Sequence, residues 1–440
     1  MKTSVIGLGK LGACLMVCLA TKGYETIGLD IDKARVDAIN RGKASVTEPR
    51  LQEMLTAARN KLHGTLDFYE IIENTDITFL VTPTPSEPDG HFSDRFLKNA
   101  LEPLSSALKK SKKEYHLFVI TATVSPGATD ENLIPLIEKF SERKLNEGFG
   151  VCYNPEFIAL GSVISDFLKP DLVLIGESDS DAGDRLERIY DAVCENKPYI
   201  ARMSIVSAEI TKIGLNSYIT MKISFANTLA NICKSVPGAD VDAISRALGA
   251  DKRISPHYIK GGLAFGGPCF PRDNKAFVTF ARSFGDEAML AQATDKVNNR
   301  QIQQLKDLVI KYLPEDRKIS ILGLAYKLNT PVIEESAAVK LIEELLCLDV
   351  KITVYDPLAM DNARVAFGEG INYTSSLVEC LSSSACWVFT LPYDEFMAID
   401  DSNIVVNPTT IVDCWRMIDS AKLSNKVKYI ALGKFIGHGK

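Results

Sequence analysis

The chain has 440 residues, enough for two to four domains at roughly 100–200 residues each. Hydrophobic residues make up 46% and charged residues 24%, which excludes disorder as a description of the whole. The formal net charge of −6 excludes a chain-wide basic surface for nucleic acid, though one local basic pocket is enough for an anionic ligand.

In chain order, Lys2–Ile6 reads as a short strand. Gly7-Leu8-Gly9-Lys10-Leu11-Gly12 follows, then a helical pattern over Ala13–Lys22 that Gly23 closes as a C′ residue. The apolar stretch Ser4–Ala20 is broken by glycines and Lys10 and has no small-residue cleavage site after it, so it does not read as a signal peptide. No run is long and apolar enough to span a bilayer, and the expectation is a cytoplasmic protein without a membrane partner. Thr26–Leu29 is the second strand, with Asp30 at its end. Strand, GxGxxG, helix, strand and terminal acid together form a dinucleotide-binding unit. Gly7 makes the tight turn, Gly9 lets backbone N–H groups approach a pyrophosphate, and Gly12 lets helix and strand pack closely. Asp30 suits the ribose hydroxyls of NAD and would repel the 2′-phosphate of NADP.

Ile77–Thr82, Leu117–Thr121, Gly150–Tyr153 and Leu172–Ile175 are further strands, with helical stretches at Phe96–Lys109 and Glu131–Phe140. Apolar residues then recur at helical intervals from Ser204 to about Ser235, and more helix follows at Asp242–Leu248 and Glu287–Tyr312. Alternation returns with a strand at Ile319–Leu322, a helix at Glu335–Cys347 and a strand at Val350–Tyr355 ending in Asp356. Ile321-Leu322-Gly323-Leu324-Ala325 echoes Val5-Ile6-Gly7-Leu8-Gly9, without the full glycine set. Trp387–Thr390, Thr410–Val412 and Tyr429–Leu432 complete this region. The fold class is α/β: two Rossmann-like doubly wound domains joined by a long central helix and a helical middle domain, at 1–200, 201–312 and 313–440.

Ten scattered cysteines include no CxxC pair and no zinc spacing, so no metal site is expected. Cys269 stands apart in Phe265-Gly266-Gly267-Pro268-Cys269-Phe270-Pro271-Arg272-Asp273, a rigid loop that allows close approach. A thiol there is either a nucleophile, activated by Lys260, Arg272 or a nicotinamide ring, or one more packed cysteine. Glu156, in Asn154-Pro155-Glu156-Phe157, follows a strand end where doubly wound folds place their sites, and Thr123 likewise follows a strand. Lys212 and Asn216 share one face of the long helix at i, i+4. Residue type alone leaves each of these open to a solvated surface role.

Taken together, GLDID after the fingerprint, TPTPSEPDG, TATVSPG, NPEF, AEITKIGLNSY, FGGPCFPRD, GLAYK and VYDP resemble the UDP-glucose/GDP-mannose dehydrogenase family along essentially the whole chain. The resemblance implies oxidation of a sugar C6 alcohol to the carboxylate with two NAD. It implies Cys269 as nucleophile, Lys212 stabilising oxygen charge at C6 with Asn216 as second donor, Asp273 moving protons through water, and Glu156 and Thr123 positioning water, with Glu156 the base in thioester hydrolysis. It further implies cofactor contacts at Gly7, Gly9, Lys10, Leu11, Gly12, Asp30, Thr84 and Thr123, and substrate contacts at Phe157, Lys212, Asn216, Gly266 and Lys327. Arg253 would reach substrate across a homodimer formed on the long helix.

The chain departs from the family pattern at Leu160, Leu172, Glu334 and Trp415. Many members carry a second glutamate at the first of these, and arginines at the other three. The default substrate is UDP-glucose, with UDP-N-acetylhexosamine, GDP-mannose and TDP-glucose in the same class. A two-electron hydroxy-acid dehydrogenase of the 6-phosphogluconate type, which needs no thiol, and a non-catalytic NAD- or nucleotide-sugar-binding protein are the other readings.

Overall fold

The described residues among the first 204 include eight short strands: β1 (Thr3–Ile6), β2 (Thr26–Leu29), β3 (Leu62–Thr65), β4 (Ile77–Leu80), β5 (Leu117–Ile120), β6 (Gly150–Tyr153), β7 (Leu172–Glu177) and β8 (Tyr199–Ser204). They form one sheet in the order β3-β2-β1-β4-β5-β6-β7-β8, parallel except where β7 meets β6. The residues of β1, β4, β5 and β6 are buried throughout, as strands covered on both faces must be. Helix Lys10–Thr21 packs one face through Cys14, Leu15 and Leu19. Helix Arg95–Lys110 packs the other through Leu97, Leu101, Leu104 and Leu108. Strand order reverses between β1 and β4, the switch point where open α/β sheets bind ligands beyond the strands' carboxyl ends.

The computed structural model describes residues 1–158, 161–404 and 409–436, and divides into two compact units, Met1–Gly214 and Leu215–Lys440. The helix Ile205–Cys233 runs 29 residues without a break. On it Tyr218, Phe225 and Ile232, seven residues apart, remain more than half exposed. No helix among the described residues is long and apolar enough to cross a membrane.

In the second unit, helices Val241–Ala250, Phe270–Ser283 and Met289–Lys311 precede a six-stranded parallel sheet. Its strands are β9 (Lys318–Leu322), β10 (Lys351–Tyr355), β11 (Asn372–Tyr373), β12 (Cys386–Phe389), β13 (Thr409–Asp413) and β14 (Val427–Ala431), ordered β11-β10-β9-β12-β13-β14. Arg416, its side chain 1% exposed, grips Asp242 through two bonds of 2.7 and 2.8 Å and also donates to the carbonyls of Gly261 and Leu432. The Val241 N–H donates to the Gly433 carbonyl at 3.0 Å, so the helical region and the end of β14 are sewn together.

This is the doubly wound pair with a helical centre that the sequence pattern predicts. Three strands among the described residues escape that pattern: β3 reads Leu-His-Gly-Thr, β8 is only partly buried, and β11 is two residues long, so none carries an apolar run. The sequence also reads only a rigid loop around Cys269, whereas a helix starts at Phe270. Pro271 is its second residue, where the missing N–H costs no intrahelical bond.

Candidate active site

The first unit holds a nucleotide cradle. Gly7 turns at φ +94°, open to glycine without strain. A Cβ on Gly12 would collide with the Gly7 carbonyl, whereas over Gly9 the nearest atom would be an Arg35 nitrogen 3.9 Å away. The space over Gly9 therefore admits a pyrophosphate, and the helix beginning at Lys10 aims its first N–H groups there. Asp30, 5% exposed, accepts the Leu8 N–H at 2.6 Å on one oxygen and the Asp32 N–H at 2.8 Å on the other. A carboxylate has about four acceptor positions, so capacity remains for ribose hydroxyls. These residues fit a dinucleotide. Arg35 meets Asp30 at 3.2 Å, beside Gly9. Sequence reading passes over it, although its place five residues after the strand-end acid is a usable signal. Thr84 is buried and Thr123 half-buried, each beyond a strand of the same sheet.

A second group lies in the same unit. Glu156 follows β6, and its Oε1 is buried with no hydrogen-bond partner. Burial pushes this carboxyl up to about 8, and the Lys212 ammonium pulls it partly back. Lys212, 7% exposed, donates to the Glu156 backbone carbonyl and stands 4.5 Å over the Phe157 ring. Glu209 is missed by the sequence reading. It is fully buried one helical turn before Lys212, and it accepts the N–H groups of Gly127 at 2.6 Å and Thr129 at 3.1 Å. Its burial raises the carboxyl to about 7. Glu209 thus fastens the loop that carries Thr123 to the helix that carries Lys212. An acid three residues from Lys212 within an apolar helical pattern was the available signal. The two family departures in this region differ in what can be said: Leu172 begins β7, and Leu160 lies outside the described residues.

The second unit holds the thiol. Cys269 is exposed and is the N-cap of the helix Phe270–Ser283. Its carbonyl accepts the Asp273 N–H at 2.8 Å. Asp273, 1% exposed, takes the Asn216 amide at 2.6 Å on one oxygen and the Arg272 guanidinium at 3.3 Å on the other. Asn216, Asp273 and Cys269 are therefore one connected group. Gly266 admits no side chain, because a Cβ there would strike the Glu335 carbonyl. Lys327 lies beside the Tyr326 ring, and Lys260 stands 5.8 Å over Trp415. Trp415 donates its indole N–H to the Thr390 carbonyl. Arg253 stands apart: its side chain is 87% exposed and ion-paired to Asp251 at 2.6 Å.

Family models cover the chain in three consecutive pieces. The UDP-glucose/GDP-mannose dehydrogenase family's NAD binding domain matches residues 1–194, its central domain 206–300 and its UDP binding domain 320–420. The chain is 35% identical to the UDP-glucose 6-dehydrogenase AglM of Haloferax volcanii over 95% of its own length and 97% of that protein's. It is 34% identical to a GDP-mannose 6-dehydrogenase of Pseudomonas syringae pv. syringae over 92% and 90%. A UDP-glucose dehydrogenase structure from Pyrobaculum islandicum superposes with a TM-score of 0.88 at 30% identity, covering 98% of each chain. The protein belongs to the UDP-glucose/GDP-mannose dehydrogenase family and is an NAD-dependent oxidoreductase.

Proposed function

We propose that this family member oxidises the C6 alcohol of a nucleotide sugar, UDP-glucose by default, to the uronic acid through a covalent bond to Cys269. The observation that carries this reading is the exposed Cys269 at a helix N-terminus, tied through Asp273 to Asn216. The partial positive charge of the helix start favours a thiolate there. NAD, when bound, accepts one hydride in each of the two oxidations.

Lys212, with Asn216, stabilises the oxygen at C6 as it gains negative charge. The Cys269 sulfur adds to the aldehyde carbon formed by the first oxidation, because an aldehyde donates hydride poorly until a nucleophile has added. The resulting thiohemiacetal becomes a thioester in the second oxidation. Water then attacks the acyl carbon, the C–S bond breaks, and the acid leaves. Asp273 relays protons through water, while Thr123 and Glu156 position the attacking water. A carboxyl pushed up to about 8 suits Glu156 as the base of that hydrolysis. Gly7, Gly9, Lys10, Leu11, Gly12, Asp30, Thr84 and Thr123 hold the cofactor; Phe157, Gly266, Lys327 and, from a second subunit, Arg253 hold the sugar nucleotide.

We read the working form as a cytoplasmic homodimer, the exposed apolar stripe Tyr218, Phe225 and Ile232 being its natural seam. The working division is a cofactor domain at 1–200, a helical dimerisation domain at 201–312 and a sugar-nucleotide domain at 313–440. UDP-glucose is preferred because the Haloferax and Pyrobaculum relatives carry that name.

The test offers purified protein NAD with UDP-glucose, GDP-mannose, UDP-N-acetylhexosamine or TDP-glucose and counts NADH. Two NADH per UDP-glucose are expected, and no NADH with any of them overturns the reading. Cys269→Ser is expected to lower acid formation by roughly 10⁴-fold or more. Full acid production by that variant excludes the covalent route.

A further inference from the structure

The loop that carries Cys269 is held from two sides within the second unit. On one side Asn298, 5% exposed on the helix Met289–Lys311, accepts the Phe265 N–H at 2.8 Å and returns its own amide to the Phe265 carbonyl at 3.0 Å. On the other side stands the segment 325–336, which runs from the glycine turn after β9 to the helix Ala337–Leu346. The Gly267 N–H donates to the Glu334 carbonyl at 3.1 Å. A Cβ on Gly266 would strike the Glu335 carbonyl, and one on Gly267 would lie 2.5 Å from the Tyr326 ring. Gly267 also sits at φ +84°, which L side chains rarely adopt. Two glycines thus exist where this segment presses on the loop.

Tyr326 is the side chain at the centre of that contact. Its backbone N–H reaches the Val332 carbonyl at 3.0 Å, closing the segment on itself. Burial first, and the charge of Cys269 second, raise its hydroxyl to about 12.

We propose that Tyr326 is a positioning residue for the nucleophile, its ring seated against Gly267 to fix the loop that carries Cys269. The segment 325–336 is then the clasp of the reactive cysteine. The inference rests on Cys269 as nucleophile and adds a residue that acts through it.

The experiment measures alkylation of the full-length protein by iodoacetamide between about pH 6 and 10, reading the Cys269 peptide by mass spectrometry. Tyr326→Ala, which removes the ring, is expected to move the midpoint of the pH profile upward by roughly one unit, and Tyr326→Phe, which keeps the ring, is expected to retain the profile of the unaltered protein. Gly267→Ala, which drives a methyl into the ring, is expected to lower kcat by on the order of tenfold or more while leaving KM for NAD as it is. A Tyr326→Ala profile that superposes on that of the unaltered protein overturns the proposal, as does a Tyr326→Phe profile that matches that of Tyr326→Ala. Acid production by Cys269→Ser overturns the covalent route instead and leaves the alkylation profile standing, so the two failures are distinct.

Discussion

The two sheets each carry a glycine turn of one design, and the two turns serve different ends. Gly7 and Gly323 both stand at φ +94° directly after a strand. The Leu8 N–H meets Asp30 Oδ2 at 2.6 Å, and the Leu324 N–H meets Asp356 Oδ2 at 2.6 Å. In each acid the other oxygen takes the N–H two residues on, at 2.8 Å, from Asp32 and Leu358. The turns part at the third glycine position, where Gly12 faces its counterpart Leu328. The first turn feeds a helix at Lys10, whereas the second runs out into the segment that grips the cysteine loop and reaches a helix only at Ala337. The acid at the strand end is therefore first a fastener of the turn, and the ribose binding proposed for Asp30 would be a second use of it. A glycine directly after the strand with a distant acid marks this strand pair, while the second and third glycines and the immediate helix set the first turn apart.

The largest expected effect falls on the difference itself. Gly12→Ala forces a methyl into the Gly7 carbonyl and is expected to cost about 3 kcal/mol or more and to abolish NAD binding by titration calorimetry. Leu328→Ala is expected to leave NAD affinity intact. Next come Gly7→Ala and Gly323→Ala, which share the same backbone strain and are each expected to lose about 1–2 kcal/mol in denaturant unfolding. Only the first should raise KM for NAD, and an equal rise from the second breaks the comparison. Asp30→Asn and Asp356→Asn remove equivalent charge-assisted bonds, each worth about 1 kcal/mol or slightly more. Only Asp30→Asn is expected to weaken NAD, by roughly tenfold.

A separate contrast lies in pH dependence, where the two units oppose each other. Burial raises Glu156 to about 8 and Glu209 to about 7 in the first unit. Above the ordinary value of 4.5 the folded state then holds more protons than the unfolded chain. The contribution of these acids to stability is highest below that value and falls as pH climbs toward 8. Burial lowers Lys234 to about 8 in the second unit, so there the folded state holds fewer protons, and its contribution rises from pH 8 toward 10.5. Thermal melts across this range should show both slopes. Glu209→Gln should flatten the lower one and Lys234→Met the upper. A melt unaffected by either variant shows that these groups titrate alike in folded and unfolded chains.

Most of the architecture is legible in the sequence because parallel strands covered on both faces write themselves as apolar runs. Thr26–Leu29 and Gly150–Tyr153 match their strands residue for residue, and the long helix falls within two residues of its expected ends. β3 carries His63 and Gly64 and so has no such run. Gly12, Asp30 and Cys269 stand out by spacing and loop chemistry. Arg35 and Glu209 do not, because their meaning depends on what a distant backbone brings to them. The helix after Cys269 is hidden by Pro271, which reads as a breaker in sequence and acts as a first-turn residue in the fold. The companion segment 325–336 has no periodicity, since its purpose is contact with another loop.

The bond between Arg416 and Asp242 also dictates an order of events as the chain is made. The eight-stranded sheet is complete once Ser204 has left the ribosome, and it can close while synthesis continues. Asp242 has no such freedom, because its partner lies 174 residues downstream. At roughly 5–20 residues per second, that wait is on the order of ten to thirty seconds. During it the helix Val241–Ala250 lacks the strand that will cover it, and Val241, fully buried in the finished protein, stands open to water and to chaperones. The half that carries Cys269 is thus the last to mature.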